Sequence, residues 1–393
     1  MNKKLFPDSL MNYSNSQSIR TIHLSLLACA ISLSPVYRSR GDGFTDVETV
    51  FVIVMENHDW AAIHGNPDCP YINQTLLPIA SRAEQYFTPP GLHPSEPNYL
   101  WLEAGTNFGV SNDHPPAENH INSTNHLVTL LENAGISWKT YQESLADGDD
   151  PLTDHDPYRV KHNPFVFFDD VGQNPARRAA HVRPYSELAA DLQDDETTAR
   201  YIFIIPNITN DMHSLGQGSS SKERQGDDWL AREVPTIMSS KAYRDNGALF
   251  ITWDEGHGDT SDGPIGLIVL SPLAKGYGYA NNIHYTHSSL LRTLQEIFDV
   301  EPFLGDAAGA NDLRDLFVSD DSPLAAALDV AHGLPQLSLS GLNVGQTTVI
   351  EASDNLVDWL PLSTNVATSS TFGVMDQSGT NVRQRFYRAL QFP

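Results

Sequence analysis

The stretch Thr49–Asn57, "TVFVIVMEN", is a run of apolar, largely β-branched residues that stops at an acid and an amide. It does not alternate, which marks a strand covered on both faces. Four more segments rich in apolar residues follow: "GISWKTYQES" (135–144), "YIFIIPN" (201–207), "ALFITWDEG" (248–256) and "IGLIVLSP" (265–272). Between them, "NHLVTLLENAG" (125–135), ended by Gly135, and "SSLLRTLQEIFDV" (288–300) carry helical patterns. Strand and helix alternate, which predicts an α/β domain with a mainly parallel sheet flanked by helices.

After about residue 335 the character changes. The segment to Pro393 has no helical period and offers about five short strands separated by Gly, Asn, Asp and Ser turns. That pattern predicts a small β-sandwich accessory module. At the other end, Lys3, Lys4 and Arg20 precede "TIHLSLLACAISLSP", a basic stretch, an apolar run and small residues, as in a signal peptide. "LLAC" also reads as a lipoprotein-type cleavage site, although apolar residues continue past Cys29. The expected organisation is a leader over 1–40, a catalytic domain over 41–334 and the β module over 335–393. Export to the medium, periplasm or cell surface follows from the leader.

The 393 residues carry a formal charge of −25, and the chain without residues 1–40 carries −29. Such a surface repels nucleic acid and anionic membranes, so neither is an expected partner. No segment reads as a stable membrane insertion. Anionic substrates are repelled too, so a phosphate site would need its own positive charge, such as a metal ion. Of two cysteines, Cys29 falls in the leader, leaving Cys69 and no internal disulfide.

In an open parallel sheet, ligands bind at the carboxyl ends of strands. Glu56, Asn57 and His58 follow the first run; Asp211 and His213 follow the third; Asp254, Glu255 and His257 follow the fourth. "IHYTHSS" supplies His284 and His287 before the last helix. Singly, each has a bland reading as a cap or a hydrogen-bonded loop residue. Three strand ends in step point to a site for a hard or borderline divalent cation, built from carboxylate and amide oxygens.

A serine hydroxyl needs a base or a metal to become a nucleophile at neutral pH. Ser95 lies in "HPSEPNY" (93–99), placed just before a helix expected near Asn98. A helix N-terminus offers donors to a phosphoryl oxygen, and Asn98 can add another. The local pattern reads equally well as a proline-stiffened turn with Ser95 as its cap.

The pieces "VIVMENHDW", "HPSEPNYL", "HNPFVFFDDV", "IPNITNDMHS", "ITWDEG" and "THSSLLRTLQEIF" occur in one order over about residues 49–300. Together they resemble the bacterial and fungal phosphoesterases, secreted acid phosphatases and phospholipases C, of the alkaline-phosphatase superfamily. The resemblance implies an alkaline-phosphatase-like fold, with Ser95 as nucleophile and metal ligand. It implies Glu56, Asn57, Asp254 and Glu255 as further ligands of a divalent metal, and Asn98 and His213 on the phosphoryl oxygens. His287 falls where some relatives place a further histidine. His162 and His181 read either as pocket groups or as structural ones. Two-metal members of the superfamily use a D-x-x-x-H spacing; Asp211 and His213 are only two apart, which favours a single-metal site and puts Asp211 in doubt as a ligand. Formylglycine sulfatases use C/S-x-P-x-R, and Tyr99 stands where that arginine would be, so an alcohol nucleophile is expected.

The expected activity is hydrolysis of a small phosphate ester through a phosphoseryl intermediate, with His213 or His287 protonating the leaving group. No lipid-interacting extension or basic amphipathic stretch is evident, which favours a phosphomonoesterase of acid-phosphatase type over a phospholipase C. A secreted binding protein without activity is the alternative from another class.

Overall fold

The computed structural model describes residues 20–25, 44–257, 263–318, 325–331, 334–342, 345–368, 371–378 and 385–392. The chain divides into two compact units, one spanning 38–321 and the other gathering 322–393 with the described part of 1–37.

The larger unit is built on an eight-stranded sheet. Its spatial order is Tyr279–Asn281, Ser81–Ala83, Leu267–Leu270, Gly247–Trp253, Thr49–Met55, Tyr201–Ile205, Trp138–Gln142 and Val182–Pro184. Every pairing is parallel except those of Leu267–Leu270, which runs against both neighbours. The five expected strands are all present. The three unforeseen ones are three residues each, too short to carry a period.

Thr49–Met55 and Gly247–Trp253 are buried at every position, as strands in the middle of a covered sheet must be. Their register is what matters for function. Met55 pairs with Trp253, so the residues that follow each, Glu56 and Asp254, leave the sheet side by side. The Asp254 N–H donates to the Met55 carbonyl at 2.9 Å, and the Glu56 N–H to the Asp211 carbonyl at 2.7 Å. Two strand ends and the loop after Ile205 are thereby tied together by main chain alone.

The helix Leu127–Asn133 stops before Gly135, whose φ of +75° suits glycine, and His287–Ile297 opens on a capping box of Thr286 and Ser289. Lys222–Ser239 is a long helix that the sequence reading passed over. Its Gly226 lies where a Cβ would meet the Met212 side chain at 2.4 Å, so glycine lets this helix close on the loop after Ile205.

In the smaller unit, four strands (Arg20–Ser25, Phe386–Phe392, Thr347–Ser353, Leu360–Val366) form one antiparallel sheet, and three (Ala325–Ala331, Leu334–Ser340, Thr371–Met375) form another. Leu337, Leu339, Ile350, Tyr387 and Ala389 are among its core residues. Residues 20–25 fall inside the expected leader and pair as a strand with Phe386–Phe392. The rest of that leader, including Cys29, lies outside the described residues. Among the described residues, no helix is long and apolar enough to cross a membrane.

Candidate active site

Ser95 is the first residue of the helix Ser95–Ala104, and the extended residue before it, Pro94, occupies the cap position. The serine is therefore inside the helix rather than capping it, and its hydroxyl is available for other work. That hydroxyl is buried and faces two carboxylates, Glu56 Oε2 at 3.2 Å and Glu255 Oε1 at 3.3 Å. Lys161 Nζ stands 3.4 Å from the same oxygen and donates to Asp113 Oδ2 at 2.9 Å.

The carboxylates are held from several sides. Tyr99 OH donates to Glu56 Oε1 at 2.8 Å. Asn57 donates through its side-chain amide to Glu255 at 3.0 Å and through its main-chain N–H to Asp254 at 3.0 Å. His93 Nδ1 is hydrogen-bonded to Glu255. Asn57 adopts a φ of +47°, a left-handed conformation that asparagine tolerates better than most residues.

Four carboxylates, Glu56, Asp211, Asp254 and Glu255, are no more than 1% exposed. Burial raises all of them. The neighbouring Asp254 and Asp211 raise Glu56 further, and Glu255 adds to Asp254, which reaches about 8. Lys161 runs the other way: burial would lower it, yet Glu56 and Asp113 hold it above the ordinary lysine value. Asn57 Oδ1 and Asp254 Oδ2 are buried with no hydrogen-bond partner among the described residues. Buried, unpaired oxygens beside mutually repelling acids are a donor set suited to a divalent cation.

Other expected site residues take different places. Asn98 donates its amide to the carbonyls of Leu92 (2.8 Å) and Pro94 (3.2 Å), so it braces the turn ahead of Ser95 and has no free N–H for a phosphoryl oxygen. At the helix start, the Glu96 N–H donates to Asp113 Oδ1 at 3.0 Å, and Pro97 has no N–H to offer. His287 is buried, with Nε2 donating to the Asp254 carbonyl at 2.6 Å and Nδ1 accepting from Tyr86 OH at 3.1 Å. Both ring nitrogens are therefore engaged, one of them with the main chain of Asp254.

His213 is half-buried, and burial followed by Lys161 and Lys222 lowers it to about 4. Its N–H donates to Asp211 Oδ1 at 2.8 Å, and its ring lies 6.4 Å from that of His162. His162 does join the cluster, 3.0 Å from Glu56 and 3.4 Å from Asp211, stacked on Tyr99. His181 does not; it stacks on Trp138 and donates to that residue's carbonyl.

Sequence reading missed Lys161, Asp113 and His93. Lys161 directly precedes His162 in "KHNPF" and His93 opens "HPSEPNY", so adjacency to recognised pieces was the available signal.

A model of the Phosphoesterase family matches residues 80–301. A phosphatidylinositol-3-phosphatase of Mycobacterium tuberculosis is 30% identical over 299 residues, covering 76% of this chain and 92% of that protein. A probable acid phosphatase of Kluyveromyces lactis is 24% identical over 302 residues, covering 75% of this chain and 68% of its own length. A solved structure of an alkaline-phosphatase-superfamily protein from Vibrio parahaemolyticus aligns with a TM-score of 0.46 at 11% identity, over 81% of this chain and 83% of that one.

Proposed function

This chain belongs to the Phosphoesterase family and is a hydrolase acting on phosphoric ester bonds, and we propose that it is a metal-dependent phosphomonoesterase with Ser95 as nucleophile. The observation that carries the reading is the buried Ser95 hydroxyl, at the first position of a helix, between two carboxylates and a lysine.

In this mechanism, Ser95 Oγ attacks phosphorus in line; the Oγ–P bond forms and the bond to the ester oxygen breaks. The hydroxyl proton has acceptors at hand in Glu56 and Glu255. Lys161, kept charged by its acidic neighbours, balances charge on the phosphoryl oxygens, the task first expected of Asn98 and the helix start. The leaving oxygen takes its proton from water. Water then hydrolyses the phosphoserine. Glu56, Asn57, Ser95, Asp254 and Glu255 would hold the divalent ion, whose contribution when bound is to polarise the phosphoryl group and lower the serine pKa.

Two of the named relatives are a phosphatidylinositol-3-phosphatase and a probable acid phosphatase, both names pointing to monoesters. The substrate proposed here is accordingly a phosphate monoester, met by a protein exported from the cell. Ser95→Ala tests the nucleophile: hydrolysis of p-nitrophenyl phosphate is lost while fold and metal content persist. Near-wild-type turnover by that variant rules the assignment out. Release of phosphate from the monoester, set against release of phosphocholine from phosphatidylcholine, separates the monoesterase from a phospholipase C.

A further inference from the structure

Beside the serine site, His162 makes two close approaches that fail as hydrogen bonds. Its Nε2 is 3.0 Å from Glu56 Oε1 and its Nδ1 is 3.4 Å from Asp211 Oδ2. Yet His162 Nε2 and Asp211 Oδ2 are both buried with no hydrogen-bond partner among the described residues. One ligand atom from each of Glu56, His162 and Asp211 lies within 4.8 Å of the others. All three side chains are at most 1% exposed.

Charge points the same way. Four carboxylates are buried together, and the nearby Lys161 is already paired with Asp113. Ionising the carboxylates together without a further counter-charge is costly, and a cation between Glu56 and Asp211 would supply one.

We propose that Glu56, His162 and Asp211 form a second divalent-cation site, sharing Glu56 with the Ser95 site. The inference rests on the metal-holding part of the proposed function and extends it from one ion to two. It also gives Asp211 a purpose despite its short spacing to His213: His162, from a distant segment, supplies the imidazole. The two sites differ in chemistry. The Ser95 site offers only oxygen, whereas the second offers two carboxylates and an imidazole, a set favoured by zinc and other borderline cations.

The test uses the full chain, stripped with a chelator, saturated with zinc, desalted and analysed for metal. The expected result is two zinc ions in the wild type and one in His162→Ala and in Asp211→Asn, with unchanged far-ultraviolet circular dichroism. One ion in the wild type, two in every chain, or loss of both ions from folded variants overturns the proposal. X-ray absorption of the zinc-loaded wild type decides without any variant: a nitrogen among the zinc ligands is expected, and an all-oxygen shell contradicts it. A chain that binds two zinc ions but hydrolyses no phosphate ester leaves this inference standing and removes the proposed function. Hydrolysis with a single, oxygen-ligated ion does the reverse.

Discussion

At the scale of single residues, the account turns on what lies within reach of Ser95 Oγ. Lys161 has two neighbours there, the serine and Asp113, and only the first bears on chemistry. Lys161→Met should lower kcat/KM by about 10²–10³, the usual consequence of removing one preorganised donor, with Lys161→Arg recovering part of it. Steady-state hydrolysis of p-nitrophenyl phosphate checks this; unchanged kinetics in Lys161→Met would reduce the lysine to a structural partner of Asp113. That Glu56, Asn57, Ser95, Asp254 and Glu255 lie near one another was legible because each follows a strand or opens a helix, while the roles proposed for them came from the resemblance. The uses of Asn98 and His287 were not legible. Both depend on which backbone carbonyl happens to sit opposite, namely Leu92, Pro94 and Asp254.

At the scale of elements, the helix that begins with Ser95 is anchored at its far end. Glu103 in its last turn accepts from His126 Nδ1 at 2.8 Å and from the Val128 N–H at 2.8 Å, and His126 Nε2 reaches Asp170 at 3.0 Å. Burial would lower His126, but Asp170 and Glu103 together raise it above its ordinary value. A raised histidine contributes stability that is fully present below its unfolded pKa and lost as pH rises through the folded one. His126→Ala should cost about 3 kcal/mol under acidic conditions, the order expected when a buried pair loses a partner. The gap in Tm between variant and wild type should narrow from about pH 6 to about pH 9, either side of the ordinary histidine range. A gap that widens with pH would contradict the assignment. The strands were legible where apolar runs were long, as in Thr49–Met55 and Gly247–Trp253. Ser81–Ala83, Val182–Pro184 and Tyr279–Asn281 owe their pairing to neighbours in the sheet, which no local pattern records. The helix Lys222–Ser239, with Gly226 and Pro235 inside it, defies propensity because tertiary packing decides.

At the scale of the whole molecule, charge and modularity make separate predictions. With a net charge of −25, long-range repulsion opposes the approach of a phosphate monoester dianion. At low ionic strength kcat/KM should therefore rise as salt is added and screening sets in. A fall would mean that local positive potential near Lys161 governs encounter. All the proposed catalytic and metal-binding residues, and the family match, lie within residues 38–321. A chain of those residues alone should hydrolyse p-nitrophenyl phosphate at the full-length rate, which assays of the two purified chains would check. The central claim concerns the covalent step at Ser95, and the most direct measurement is peptide mass spectrometry of enzyme quenched in acid during turnover. The account predicts phosphate on the peptide containing Ser95, localised to that residue. Turnover with no phosphate on Ser95, in a chain whose Ser95→Ala variant remains active, would contradict it.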